Sequence, residues 1–313
     1  MTTGHAVVLG GHGFLGRHVC RELARRGLRV SAIGHGAWSD AEAAAWGIAS
    51  WTQADVDSRS LAAIADGHLA DLIIHCAGSG SVGGSFPAPL GDFQRNVDST
   101  AAVLDFVRQA CGHRPRVVVT SSAAVYGDQG EVDLTESATR SPMSPYGFHK
   151  VMAENLCDSY ARFFGVGTSV VRLFSVYGEG LRKQLLWDAA NKLARGEDTF
   201  FGTGREVRDW VHVDDAAALL CDAGLAGSQG LLEIYNGGHE RHDTAHVLAE
   251  LARQLRSDRT PVFTGETHVG NPRRLTANAS HARRQLGWTP RVDLASGLAR
   301  YADWFRGLQD GAA

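Results

Sequence analysis

Short runs of apolar, often β-branched residues alternate with longer stretches of helical periodicity through the first 175 residues. That is the rhythm of strand–helix–strand units around a parallel sheet. The runs predict strands over Ala6–Leu9, Leu28–Ile33, Ile48–Gln53, Leu72–Cys76, Val117–Ser121 and Thr168–Leu173. Several are apolar at almost every position, as in Val117-Val118-Val119, which suits strands covered by helices on both faces. Helices are predicted over Phe14–Arg26, Leu61–Ala65, Asp92–Ala110 and Tyr146–Phe164. In the third, Phe93, Val97, Ala101, Leu104 and Val107 recur three or four apart and form one apolar stripe. Beyond residue 175 the rhythm breaks into shorter elements, punctuated by Gly178–Gly180, Gly202–Gly204, Gly237-Gly238 and Pro272. The expected fold class is therefore α/β, a doubly wound parallel sheet over residues 1–175 with a smaller C-terminal α/β lobe over residues 176–313, interleaved with it. There is no internal repeat, low-complexity tract or flexible linker to suggest otherwise.

Composition narrows the function. Of 313 residues, 44% are hydrophobic and 21% charged, which excludes a disordered or fibrous chain. Lys and Arg number 31 against 34 Asp and Glu, so no global basic field exists to hold nucleic acid or an anionic membrane. Any anionic ligand must be held by local groups. Met1–Gly10 lacks the basic and apolar pattern of a leader and no run approaches 18 apolar residues, so a cytoplasmic location is expected. The five cysteines, Cys20, Cys76, Cys111, Cys157 and Cys221, are scattered and odd in number, which points to small core residues rather than disulfides or a zinc site. His242 and His246 stand four apart on a predicted helix but have no third ligand, so no metal site is expected.

The first strand runs straight into Gly10-Gly11-His12-Gly13-Phe14-Leu15-Gly16 and then an amphipathic helix. Glycines at 10, 13 and 16 let the chain turn tightly, approach a pyrophosphate closely and seat the helix on the strand, a dinucleotide-binding turn in its required context. The end of the second strand, Gly34-His35-Gly36, offers no acid for a ribose 2′-hydroxyl. Arg17, helped by His35 or Ser39, is placed to hold a 2′-phosphate, so the cofactor is read as NAD or NADP with a slight lean to NADP; the bland reading of Arg17 is a solvated first-turn residue. Asp55, with Val56 beside it, is a candidate partner for the adenine, or else Asp55 is a helix cap.

Tyr146-Gly147-Phe148-His149-Lys150 follows a buried strand ending in Ser121-Ser122. A spacing of four puts Tyr146 and Lys150 on one helix face, where an ammonium favours the anionic form of a phenol that otherwise titrates near ~10. Ser122 is placed to hydrogen-bond the same substrate oxygen.

With these residues in place the chain resembles the extended short-chain dehydrogenase/reductases, specifically their nucleotide-sugar epimerase and dehydratase branch. The resemblance runs from about Ala6 to Leu308 through Gly10–Gly16, Asn96-Val97, Ser121–Gly127, Tyr146–Lys150, Arg172–Gly178, Arg208–Asp215 and Leu286–Pro290. It implies a Rossmann-type fold in which residues 1–175 bind NAD(P) and residues 176–313 bind the sugar nucleotide. It implies that Tyr146 accepts and donates the proton, that Lys150 holds the nicotinamide ribose and tunes the tyrosine, and that Ser122 positions the reacting hydroxyl. It further implies cofactor contacts at Cys76, Ala77 and Gly78 and substrate contacts at Asn96, Ser175, Arg208 and Arg273. Read blandly, Asn96 is a helix-face polar residue and the arginines are surface ion pairs.

Departures from the family pattern matter too. Ala123-Ala124 follows Ser122 where dehydratases of the branch carry an acid, so dehydration is disfavoured. Ser175 and Asn278 replace an Asn and an Asp, which leaves the sugar open. The expected activity is an NAD(P)-dependent nucleotide-sugar 4-epimerase acting through a transient 4-keto sugar. An NADPH-dependent nucleotide-4-keto-sugar reductase is the alternative, and a non-catalytic dinucleotide-binding regulator the third reading. The helices Asp92–Ala110 and Tyr146–Phe164 can pair across a two-fold axis as a four-helix bundle, so a homodimer is expected.

Overall fold

A computed structural model describes residues 4–65, 70–109, 115–227, 230–267 and 270–310. The first half runs β1 (His5–Leu9), α1 (Phe14–Arg25), β2 (Arg29–Gly34), α2 (Asp40–Ala45), β3 (Ser50–Gln53), α3 (Ser58–Ala65), β4 (Leu72–His75), α4 (Val82–Ser85), α5 (Pro89–Phe93), α6 (Ser99–Gln109), β5 (Arg116–Ser122), α7 (Pro145–Phe164) and β6 (Thr168–Leu173). The second runs β7 (Ser175–Tyr177), α8 (Gln184–Ala194), β8 (Thr199–Phe200), β9 (Val207–His212), α9 (Val213–Leu225), β10 (Leu232–Gly237), β11 (Glu240–Asp243), α10 (Thr244–Gln254), β12 (Val262–Phe263), β13 (Arg274–Leu275), α11 (Ser280–Leu286) and α12 (Leu294–Asp310).

The central sheet has seven strands in the order β10-β6-β5-β4-β1-β2-β3, all parallel. Its strands are apolar at consecutive positions because both faces are covered. One face packs on α1 and α9 through Val19, Leu23, Leu219 and Leu220; the other carries Leu104, Val107 and Cys157 of α6 and α7. The doubly wound α/β sheet expected from the sequence is the fold observed. A smaller lobe pairs β11, β9 and β13, with β7 also on β9, and buries Leu186, Leu193, Leu248 and Phe305 of α8, α10 and α12.

The chain returns from that lobe to the central sheet. α9 and β10, residues 213–237, belong by sequence to the second half but pack against or extend the seven-stranded sheet. The magnitudes explain why. Each fully buried Leu contributes roughly 1.5–3 kcal/mol, whereas doubling a loop costs only about 0.6 kcal/mol. Burying Leu219 and Leu220 therefore outweighs the long excursion through residues 176–212.

Two predicted elements differ. The helix expected over Asp92–Ala110 is broken: α5 ends at Phe93, a π-helical turn occupies Gln94–Asp98, and α6 starts at Ser99; Ala110 and Cys111 lie outside the described residues. Within that turn Asn96 and Val97 are both buried. His242 lies on β11, not on a helix; α10 begins at Thr244, capped by Asp243. The His242 and His246 rings stack at 4.5 Å, and no metal-ligand cluster is found among the described residues. Among the described residues no helix is long and apolar enough to cross a membrane.

A buried polar network joins the strands beside α7. Arg172 on β6 donates from Nε and Nη2 to the two carboxylate oxygens of Glu154 on α7 at 2.9 and 2.8 Å, and from Nη1 to the Tyr126 hydroxyl at 2.8 Å. Both side chains of the ion pair are 2% exposed. Ser121 Oγ donates to the same carboxylate at 2.6 Å, and Tyr126 passes the chain on to Asn236 of β10 at 2.7 Å. Removing one member leaves the other charge buried and uncompensated. Arg172→Met is therefore expected to lower unfolding free energy by about 3–5 kcal/mol in urea titration; a loss under about 1 kcal/mol, the worth of an exposed pair, would show the network to be dispensable.

Candidate active site

A cavity of about 1160 Å³ lies between the carboxyl ends of the central strands and the smaller lobe. That is where open parallel sheets bind ligands, because the strand order reverses there and helix N-termini converge. The turn after β1 forms one wall. Gly10 N donates to the Ile33 carbonyl at 2.7 Å and Gly13 N to the Gly10 carbonyl at 2.9 Å. A Cβ on Gly16 would stand 2.1 Å from Gly10 O, so only glycine lets α1 lie this close to the turn. Gly13 caps α1 without a side-chain hydrogen bond, and no acid stands in the first turn. The first-turn N–H groups of α1 are left for an anion, and Gly13, Phe14, Leu15 and Gly16 line the cavity. The geometry fits a dinucleotide pyrophosphate.

The groups considered for a 2′-phosphate are otherwise engaged. Arg17 Nη2 donates to the His12 carbonyl at 2.5 Å and Nε to Gly13 O at 3.3 Å, and its guanidinium lies 5.5 and 5.4 Å from the Trp38 and Trp46 ring centroids. It braces the turn. Ser39 caps α2: its hydroxyl donates to Glu42 at 2.8 Å and accepts from Glu42 N. His35 Nε2 pairs with Asp55 Oδ1 at 2.5 Å, both exposed. Asp57, not Asp55, receives the Ser60 N–H at the start of α3, and Val56 packs on the core. None of Arg17, His35, Asp55 or Val56 is in the cavity wall.

The opposite wall comes from β5 and α7. Pro145 opens α7 at a position where a missing N–H costs nothing, and Ser144 Oγ caps it by accepting from Gly147 N at 3.1 Å. A Cβ on Gly147 would come 2.6 Å from the Ala124 carbonyl, so the glycine lets α7 press on the turn that follows Ser122. The result brings Ser122, Tyr146 and Lys150 together on the cavity wall. Ala123 and Ala124 line it too, and no carboxylate follows Ser122. Lys150 Nζ donates to the Thr120 carbonyl at 2.9 Å and stands 5.7 Å from the Tyr146 ring centroid.

The electrostatics differ from the simple expectation of an acidified phenol. Burial pushes the Tyr146 hydroxyl up to about 12; a hydrogen bond with Ser122 works against the rise and the Asp92 carboxylate adds to it. Burial pushes Lys150 down to about 8, with Asp92 the largest opposing influence. With its ammonium drawn to Thr120, the lysine does not offset burial, and the phenol is held as an acid.

Cys76, Ala77 and Gly78 line the cavity after β4. Burial pushes the Cys76 thiol up to about 12 and the His75 imidazole down to about 3, so both are neutral at pH 7. Asn96 does not reach the cavity. It props the loop from beneath: its Oδ1 is 2.7 Å from where a Gly78 Cβ would stand, and its Nδ2 donates to the Asp92 carbonyl. Ser175 and Arg208 line the cavity. Arg208 donates to the Val207 carbonyl at 2.8 Å and to Asn271 Oδ1 at 2.5 Å, and burial pushes its guanidinium down to about 10, still charged at pH 7. Arg273 is elsewhere, 86% exposed and 3.7 Å from Glu131.

Sequence reading missed Lys183, Gln184, Lys192 and Arg195, which line the cavity from α8 and its flanks. A signal existed: the chain has only three lysines among 31 basic residues, and all three line this cavity.

The chain belongs to the NAD dependent epimerase/dehydratase family, whose pattern it matches over residues 6–238. It is similar to a UDP-glucose 4-epimerase of Streptomyces lividans, 30% identical over 94% of each chain. Among solved structures it resembles the UDP-glucose 4-epimerase of Thermotoga maritima with UDP-glucose, at TM-score 0.86 and 26% identity over 97% of this chain and 99% of that one. It resembles equally a dTDP-glucose 4,6-dehydratase of Streptomyces venezuelae with NAD bound, at TM-score 0.87 and 26% identity over 98% of both. The protein is an enzyme of the short-chain dehydrogenase type that uses a nicotinamide dinucleotide.

A raised phenol pKa means Tyr146 keeps its proton until pH approaches 12. Ultraviolet difference titration of the ligand-free protein should therefore show the same tyrosinate signal for wild type and Tyr146→Phe up to about pH 10. A tyrosinate step near neutrality that disappears in the variant would contradict the burial argument.

Proposed function

We propose that the enzyme is a nucleotide-sugar 4-epimerase using NAD. The observation that carries this reading is one cavity holding Ser122, Tyr146 and Lys150 on one wall, the bare α1 N-terminus on another, and half-buried Arg208 in the smaller lobe. The Gly13–Gly16 turn would hold the dinucleotide pyrophosphate and Lys150 its nicotinamide ribose. Arg208 suits the substrate diphosphate, since a guanidinium offers forked donors. When bound, the nicotinamide supplies a reversible hydride acceptor. Ser122 would orient the sugar 4-hydroxyl; Tyr146, protonated in the ligand-free protein, would serve as base once ionised in the loaded site, taking that hydroxyl's proton and later returning it to the same oxygen, while the hydride given up by C4 would come back to the opposite face of the keto sugar. The cavity is roomy enough for the sugar to turn between the two transfers.

The alanines after Ser122 argue against elimination of water, which needs a further acid and base. The reductase alternative drew on a missing acid after β2. The engagement of Arg17, His35 and Ser39 weakens that case and supports NAD. An intact tyrosine–lysine pair on a cavity argues against a regulator without activity.

With UDP-glucose as the first substrate tested, purified protein is expected to interconvert two 4-epimers without net change in NADPH absorbance. Tyr146→Phe should lower that turnover about 10²–10⁴-fold while leaving dinucleotide affinity within a few-fold. Stoichiometric NADPH oxidation on a 4-keto sugar would favour the reductase instead.

We also propose a homodimer through α7 and α6. On α7, Phe148, Met152 and Phe163 are 53%, 43% and 76% exposed on one stripe, more apolar surface than a solvated helix carries. Light scattering should give the mass of two chains, and Phe148→Glu should shift it toward one; a monomeric wild type would refute the dimer.

A further inference from the structure

The mechanism leaves Asp92 and His149 unused. Asp92 on α5 is fully buried, and its Oδ2 lies 2.6 Å from Nδ1 of His149, which sits on α7 between Tyr146 and Lys150. The Phe93 ring packs edge-on against that imidazole at 5.5 Å. The second oxygen, Asp92 Oδ1, is buried with no hydrogen-bond partner. A carboxylate so placed is costly unless a positive charge stands nearby; its direct partner is the His149 imidazole, and the next residue along α7 carries an ammonium group.

That group is Lys150. Its ammonium is 6% exposed and its hydrogen bond goes to a neutral carbonyl, Thr120 O, so it needs a nearby negative charge to stay protonated. The titratable groups around it can be taken element by element. On β4 and just after it, His75 and Cys76 are neutral at pH 7. On α7, Cys157 is a buried thiol, Tyr146 a phenol, and Glu154 already receives Arg172, Arg140 and Ser121. On α5 stands Asp92, in contact with an imidazole alone. We propose that Asp92, held in place by His149, is the counter-charge that keeps Lys150 an ammonium, and so is a positioning residue for the tyrosine–lysine site. Consistent with this, Asp92 is the largest influence opposing the downward push of burial on Lys150.

The inference deepens the role given to Lys150 above, but its test needs no substrate, so it and the epimerase reading fail separately. With three lysines in the chain, ε-¹³C-lysine labelling gives three resonances, and Lys150→Arg identifies the one from residue 150. In the wild type that resonance should titrate near pH 8. In Asp92→Asn it should titrate about one unit lower or more, while Lys183 and Lys192 stay where they were. His149→Asn, which keeps a donor beside the carboxylate, should leave the midpoint close to wild type. Asp92→Ser is the second neutral variant should Asp92→Asn not fold, with the same shift expected. A Lys150 already neutral at pH 7 in the wild type, or a midpoint unmoved by loss of the carboxylate, overturns the proposal.

Discussion

The geometry of the site depends on one buried ion pair. Arg172 and Glu154 join β6 to α7 through two hydrogen bonds out of reach of water. The same carboxylate takes the Ser121 hydroxyl, and the guanidinium takes Tyr126. Ser121 and Ser122 point to opposite sides of β5, as successive residues of a strand must. Fixing Ser121 on one side therefore fixes Ser122 on the other. Glu154 lies one turn beyond Lys150 on α7, so the pair also sets the rotation of the helix that presents Tyr146. Such pairs are weak evidence for stability but strong constraints on arrangement, because few other packings satisfy both charges.

Much of this was legible in the sequence, for reasons that are local. The Gly10–Gly16 turn, the apolar strands and the i, i+4 spacing of Tyr146 and Lys150 are written in consecutive residues, and the structure places them as read. What escaped was non-local. Nothing in the spacing of residues 92–98 marks the π-helical turn that moves Asn96 beneath Gly78 instead of into the cavity. The exposure of Arg273 and the place of half-buried Arg208 in the cavity wall depend on how β13 lies beside β9, which the sequence pattern of the second half hardly hints at. The lysine was expected to acidify the phenol. Burial, which no single-sequence pattern measures, outweighed that effect in the ligand-free protein.

The electrostatics of the cavity follow a single theme, neutrality enforced by burial. His75, Cys76 and Tyr146 are all driven to their uncharged forms. Against that background the charge of Lys150, only 6% exposed, acts through a low-dielectric medium and gains influence, unlike the more open cations Lys183 and Arg195 at the edge of the cavity.

The placement of every lysine on one cleft reaches beyond catalysis. The outer surface of the molecule is decorated with guanidinium groups, which ignore activated esters and aldehydes at neutral pH, whereas the three side-chain amines all open onto the functional cleft. Coupling this protein to a bead or dye through its lysine side chains would thus place every such attachment at the cleft.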